Sequence, residues 1–205
     1  TVTQQDYMIR ALSMPANIGT IAKAFIQPTK VAEYQMGELP TILDMYVLSY
    51  NSKKHLRTAS ATLKQNLKTY LSEYRMINDS IKIKDAYIIN IQVEFDIIVL
   101  PNFNNNETIG RGITAISNYF QIDNWNLNQP IMIKDLQILL DKVEGVQTVM
   151  AVNIKNLAGV SKGYSNFSYD IAAATNNSVI YPSVDPMIFE LKYPASDIVG
   201  RVVPL

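Results

Sequence analysis

The clearest pattern in the chain is an alternation of apolar and polar residues between positions 89 and 99. The apolar members are Ile89, Ile91, Val93, Phe95, Ile97 and Val99, and the polar residues between them are Asn90, Gln92, Glu94 and Asp96. A period of two predicts a β-strand with one buried and one hydrated face. With residues 85–88 included, the strand would extend about 50 Å at roughly 3.3 Å per residue. We therefore expect it to bend or to reach beyond its own domain.

Four segments carry apolar residues at the helical period and predict amphipathic helices. They are residues 6–12, 59–74, 106–120 and 133–144. The expected N-caps are Thr58 or Ser60 for the second helix and Asn105 or Asn106 for the third, and Gly145 is expected to end the fourth. Gly110 and Gly112 lie inside the third helix, where each lowers helix stability by roughly 1 kcal/mol relative to alanine.

Further strands are expected at 21–27, 41–50 and 146–154, and a loop at 29–40. The alternating run 81–84 places two lysines where they would protect a sheet edge. Strands and helices follow each other in blocks, which favours an α+β fold with segmented mixed or antiparallel sheets and packed amphipathic helices.

We expect three parts: α+β subdomains at 1–84 and 85–158, and an extended segment at 159–205. Prolines and glycines interrupt this last segment, and its aromatic residues have no helical period. Such a segment either covers its own domain or contacts a partner, because exposed apolar patches mark interaction surfaces. The sequence leaves both alternatives open.

Composition narrows the class of protein. Hydrophobic residues make up 48% of the 205 residues, and 18 basic side chains balance 18 acidic ones. This excludes a disordered chain and argues against a nucleic-acid binder that uses a basic face. The absence of cysteine from the sequence excludes disulfides, thiol catalysis and cysteine-ligated metals. No apolar run approaches the roughly 20 residues that span a bilayer. The first residues contain neither an initiator Met nor a signal peptide, so we expect a fragment or a trimmed product.

Candidate chemistry is sparse, and we predict no catalytic residue, cofactor or metal. His55 is the single histidine and lies among lysines, which is typical of a solvated loop. The Gly110-Arg111-Gly112 run lacks the third glycine and the lysine of a phosphate-binding loop. Glu94 and Asp96 form a carboxylate pair on one strand face, but polar neighbours indicate an ordinary polar face. Trp125 is expected in a core or an interface.

Several runs resemble the baseplate J-like family and, more closely, the C-terminal part of the baseplate wedge ring subunit of T-even-type contractile-tailed bacteriophages, in order and over nearly the whole chain. They are DYMIRALSMP (6–15), GTIAKAF (19–25), YVLSYN (46–51), LKQNLKTYL (63–71), YRMIND (74–79), YFQIDNW (119–125) and VEGV (143–146). More specifically, YPSVDPMIFELKYP (181–194) and DIVGR (197–201) resemble the C-terminus of the baseplate wedge ring subunit of T-even-type contractile-tailed bacteriophages. These C-terminal runs discriminate better, because they lie beyond the general J-like domain.

This resemblance implies a non-enzymatic virion protein of the tail baseplate, assembled in the host cytoplasm. In that family, two copies per wedge associate with another wedge subunit, and contacts between copies form the ring that joins the wedges. The ring rearranges when the tail contracts. The expected partners are a second copy and other wedge subunits, with no nucleic acid, membrane or small-molecule substrate. The longer N-terminal region of the family's subunit is not among these residues.

The C-terminal segment is expected to supply the protein interface, because exposed aromatic residues often anchor interfaces. The predicted interface residues are Tyr181, Pro182, Asp185, Pro186, Phe189, Tyr193, Asp197 and Arg201. Two other classes of function compete with assembly. One is a tail-associated module that binds host surface glycans through Trp125 and tyrosines. The other is a tail-associated cell-wall hydrolase that uses Glu94 and Asp96.

Overall fold

The computed structural model describes residues 3–29, 41–74 and 79–204. The chain divides into two compact units, unit 1 at Thr1–Ala86 and unit 2 at Tyr87–Leu205. In both, helices accompany mixed sheets, which confirms the predicted α+β class. The three-part division stays a prediction, and residues 159–204 lie within unit 2.

The sheet of unit 1 is organised around its second strand. Its strands are β1 (Lys23–Pro28), β2 (Thr41–Tyr50), β3 (Leu56–Thr58) and β4 (Asp79–Asp85). The central strand β2 is antiparallel to β1 and β3 and parallel to β4. Among the described strands β4 pairs only with β2, so its lysines lie on an edge strand as predicted. Apart from Thr29, the predicted loop at 29–40 lies outside the described residues.

Two helices lie within the described residues of unit 1. Helix α1 (Gln4–Leu12) begins with a capping box in which the side chains of Thr3 and Asp6 bond each other's backbone N–H. Helix α2 (Ala61–Ser72) begins at Ser60, which is the N-cap of the two candidates, because its Oγ accepts a hydrogen bond from Leu63 N at 3.2 Å. The apolar faces of the helices join the sheet in one core. This core includes Tyr7, Ala11, Met45, Val47, Leu67 and Leu71.

Strand β5 (Tyr87–Val99) is the centre of unit 2. Its other sheet members are β7 (Val146–Leu157), β10 (Met187–Glu190) and β11 (Ile198–Val202). Strand β7 is antiparallel to β5 along one edge, while β10 and then β11 run parallel to β5 along the other. A small antiparallel sheet contains β6 (Ile131–Met132), β8 (Thr175–Asn176) and β9 (Val179–Ile180).

The helices of unit 2 are α3 (Asn105–Tyr119), α4 (Ile133–Asp141), α5 (Ile171–Ala174) and α6 (Pro194–Asp197). The predicted caps Asn105 and Asn106 of α3 are wrong by one or two residues. The cap is Asn104, whose Oδ1 accepts from Asn106 N at 2.9 Å and Glu107 N at 3.3 Å. Gly145 follows α4 with φ +95°, a conformation that favours glycine and directs the chain into β7.

Two expectations about the alternating strand are corrected. The run from residue 85 is not one long strand, since β4 ends at Asp85 and β5 begins at Tyr87 in another sheet. The polar face is also not hydrated throughout. Asn90 is fully buried, and Gln92, Glu94 and Asp96 are half-buried. None of the helices within the described residues is long and apolar enough to cross a membrane.

Candidate assembly surface

The C-terminal segment is part of the sheet of unit 2. Met187–Glu190 pairs with the start of β5, and Ile198–Val202 pairs with its second half. Of the two alternatives that the sequence left open, the segment covers its own unit. Its apolar residues fill that core, and Met187, Ile188 and Phe189 are each about 1% exposed.

The loop that precedes these strands is held by a buried polar cluster around Asn90. The Asn90 amide donates to Glu190 Oε2 at 2.8 Å and accepts from Ser165 N at 2.8 Å. Ser165 Oγ also donates to Ile88 O at 2.6 Å. Buried polar groups need such partners, since each unsatisfied group costs about 1–3 kcal/mol. Ser165 and Glu190 cover this end of β5, so its polar face is buried there.

A second cluster forms around the carboxylate of Asp197, which is 1% exposed. Asp197 Oδ1 accepts from Tyr164 Oη at 2.6 Å and from Ser196 Oγ at 2.9 Å, and Oδ2 accepts from Tyr193 N at 2.9 Å. Burial, followed by the hydrogen bond to Asp197, raises the pKa of Tyr164 to about 12. The neutral phenol therefore ties the loop at 164 to the turn that leads into β11.

A third set of contacts, made by Tyr169, connects the region around residue 181 to the core. Tyr169 Oη donates to Tyr181 O at 2.7 Å, and its ring meets the Phe189 ring edge-on at 6.0 Å. Burial raises the pKa of Tyr169. The backbone at 181 is thereby fixed while the Tyr181 side chain remains 51% exposed.

The structure separates the eight predicted interface residues into two groups. Phe189, Asp197 and Pro186 are buried within unit 2, where their side chains pack against the unit itself. The exposed or partly exposed residues are Tyr181, Pro182, Asp185, Tyr193 and Arg201. Whether they form an interface stays a prediction.

Sequence reasoning missed residues on both sides of this surface. Val184 is 79% exposed and lies in the turn between Tyr181 and Asp185, where an apolar residue between polar neighbours was the available signal. Tyr164 and Tyr169 belong to the aromatic residues of the C-terminal segment that have no helical period. Their roles depend on partners 33 and 12 residues away, which no local pattern indicates.

The residues considered for catalysis or metal binding form ordinary structural hydrogen bonds. His55 belongs to the turn between β2 and β3, where its N–H donates to Asn51 Oδ1 at 3.0 Å. Glu94 accepts from Lys155 Nζ at 2.7 Å. Within residues 3–29, 41–74 and 79–204, no group of three or more His, Cys, Asp or Glu residues is placed to hold a metal ion.

Trp125 is a core residue, as one of the two expectations held. It is 2% exposed and packs against Tyr119 and Phe120, with ring centroids 5.6 and 5.1 Å away. A buried indole does not form the exposed stacking platform on which the glycan-binding interpretation relied.

Comparisons with known proteins identify the fold. Neither a family model nor a curated protein matches the chain. Among solved structures, the chain is similar to one in a six-fold symmetrised cryo-EM structure of the anti-feeding prophage baseplate. The TM-score is 0.52 at 12% sequence identity, and the match covers 98% of this chain and 37% of that one. Almost the whole chain therefore has the fold of a part, about a third, of a prophage baseplate chain.

Proposed function

We propose that this chain is a structural component of the baseplate of a contractile tail. One observation carries the proposal: 98% of the chain matches the fold of part of a baseplate chain, across both units. A match confined to one unit would carry less weight, because single folds are reused for many functions.

A more specific role follows from the resemblance of the sequence to the T-even wedge ring subunit. In this role the chain helps to form the ring that joins the baseplate wedges and rearranges on contraction. Its partners are a second copy of itself and other wedge subunits, and its location is the tail baseplate of a virion assembled in the host cytoplasm. The role is one of non-enzymatic protein–protein assembly. Of the two carboxylates considered for catalysis, Glu94 forms a salt bridge with Lys155.

The surface proposed for contact with neighbouring subunits lies on the exposed part of the C-terminal segment. Tyr181, Val184 and Asp185 lie in the turn before β10. Tyr193 and Arg201 are further exposed residues of the segment, and Arg201 lies opposite Asp96 in the second half of β5. Rigid backbone below exposed aromatic and apolar side chains suits an interface, because little conformational entropy is lost on binding. The hydrogen bonds of Tyr169 and Asp197 supply that rigidity.

Labelling of intact particles tests the proposed function. In the organism that produces the particle, the chain would carry an epitope tag, and purified tails would be imaged by electron microscopy with gold-labelled antibody. We expect the label at the end of the tail that carries the baseplate. Label along the tail shaft, or tagged chain absent from purified tails, would overturn the proposal.

The proposed surface is tested by incorporation into the same particles. Deletion of residues 176–205 is unsuitable, since it removes β10 and β11 from the edge of β5. The double substitution Tyr181→Ser with Val184→Ser keeps the sheet and removes two exposed apolar groups. The matched control, Ile9→Ser with Leu12→Ser, removes two exposed apolar side chains from α1 in unit 1. We expect only the first variant to be depleted from particles, and equal incorporation of both would contradict this surface.

A further inference from the structure

The outer edge of β7 is an open strand edge. Among the described strands, β7 pairs only with β5, although it is 12 residues long. A long unpaired edge exposes backbone N–H and C=O groups that bind another strand, and proteins usually protect such edges. The part of β7 that is left unprotected therefore indicates where another strand can pair with this edge.

The direction of the backbone groups follows from the neighbours of β5. Tyr87 N donates to Pro186 O, and Ile97 O accepts from Val203 N. The backbone N–H and C=O groups of the odd-numbered residues of β5 therefore point toward β10 and β11. Even-numbered residues of β5 consequently face β7, because successive backbone groups point in opposite directions. Since Phe95 lies opposite Val152 and Val93 opposite Ile154, both β7 residues direct their backbone groups outward.

The first half of β7 is protected. The register skips Gln147 and Met150, which are bulges that disrupt regular pairing. The N–H of Val149 points outward and is satisfied by Asp141 Oδ1 of α4 at 3.1 Å. The second half, from Ala151 to Leu157, is regular. The backbone groups of Val152 and Ile154 have no hydrogen-bond partner among the described residues, although Val152 is only 6% exposed and Tyr169 N bonds Asn156 Oδ1 near the end of the strand.

Exposed apolar side chains lie where the protected half of β7 meets the open half. Met150 is 57% exposed and immediately precedes it. Ile138 is 53% exposed and lies one helical turn before Asp141, on the face of α4 that reaches the strand edge. An open ladder next to exposed apolar residues is typical of a surface that is covered by another strand.

We propose that this edge pairs antiparallel with the same edge of a second copy, around a two-fold axis at Asn153. In this register Val152 of each copy lies opposite Ile154 of the other, and both direct their backbone groups to the shared edge. The contact is isologous, as closed two-fold dimers require, and joins two sheets into one. It lies apart from the C-terminal surface proposed above and does not depend on the baseplate role.

Charge and side-chain complementarity are compatible with a second copy as the occupant. Lys155 is the single charged residue of β7, and its Nζ is 2.7 Å from Glu94 Oε1 in the same chain. In the proposed register each Lys155 lies opposite Ala151 of the other copy, so no like charges meet. The residue that meets itself is Asn153, whose exposed amide is neutral and can both donate and accept a hydrogen bond.

A charge pair at Asn153 tests the contact and its register. Light scattering over a range of concentrations is expected to show the 23.1 kDa chain approaching twice that mass. Asn153→Lys and Asn153→Glu each place like charges directly opposite, which is destabilising. We expect each variant alone to remain monomeric and their equimolar mixture to recover the doubled mass. Asn118→Lys, an exposed site on α3, adds the same charge elsewhere in unit 2 and should still dimerise.

Ile154→Pro provides a second variant that removes one outward N–H without removing a bond to β5, and it should also be monomeric. Circular dichroism would verify that each variant is folded. A wild-type mass that stays at 23.1 kDa at every concentration would overturn the proposal, as would dimers that persist in both charge variants. The mass measurement is independent of the particle experiments. The expected dimer mass would be the same if the particle labelling failed, or if only the Tyr181→Ser, Val184→Ser variant were depleted from particles.

Discussion

Gly110 and Gly112 lie two residues apart in α3 but have different surroundings. A Cβ on Gly110 would have no atom within 4 Å, and the residue is exposed. A Cβ on Gly112 would lie 3.0 Å from Phe95 Cζ and 3.3 Å from Leu140 Cδ2. We therefore expect Gly110→Ala to raise the free energy of unfolding and Gly112→Ala to lower it or leave it unchanged.

The magnitudes follow from two terms. Replacing glycine with alanine inside a helix gains about 1 kcal/mol, and this gain is all that Gly110→Ala experiences. Gly112→Ala has the same gain but also overpacks the core, which costs about 1–3 kcal/mol. The two variants should therefore differ by about 1–3 kcal/mol. Gly200→Ala should be worse, because its Cβ would lie 2.5 Å from the same Phe95 ring.

Urea unfolding followed by the fluorescence of Trp125 measures this difference. Trp125 is the only tryptophan and is buried in unit 2, so its emission reports the unit that contains α3. At a slope of about 1–3 kcal/mol/M, Gly110→Ala should raise the midpoint by about 0.5 M. In a Phe95→Leu background, the deficit of Gly112→Ala relative to Gly110→Ala should shrink. Equal stabilisation by both alanines, or a deficit that Phe95→Leu leaves unchanged, would refute the reasoning.

Two further predictions concern the polar contacts of unit 2. The pKa of Tyr164 is about 12 in the folded protein and about 10 in the unfolded chain, so the phenol of the unfolded chain ionises first as the pH rises. The stabilisation of the folded state by Tyr164 is therefore complete below pH 10 and is lost between pH 10 and 12. Wild type should therefore exceed Tyr164→Phe in urea midpoint at pH 8, and the gap, followed by circular dichroism, should narrow toward pH 12; a constant gap would contradict this. Asn104→Ala should lower the free energy of unfolding by about 1 kcal/mol through loss of the α3 cap, while Asn105→Ala should change it by less than about 0.5 kcal/mol. Thermal unfolding measures both, and similar losses would show that Asn104 is not the effective cap.

Several features were accessible from local sequence because they depend on near neighbours. The helical stripe containing Leu67 and Leu71 and the alternation along β5 each state which side of an element is apolar. Strand β2 was predicted with its observed ends, and Ser60 was one of two expected caps. The general resemblance to baseplate proteins also came from the sequence, and the shared fold is consistent with it.

Most elements and the α+β class are therefore predictable from local sequence, because period and capping act over a few residues. The tertiary structure decided which polar and apolar side chains meet across long separations. The alternation predicts a hydrated Asn90, but in the structure Asn90 is buried and donates a hydrogen bond to Glu190, 100 residues later. Phe189 reads as an interface anchor, but parallel pairing with β5 buries it. The open edge of β7 also depends on which strands become neighbours, and pairing between distant strands leaves no periodic signal in either one.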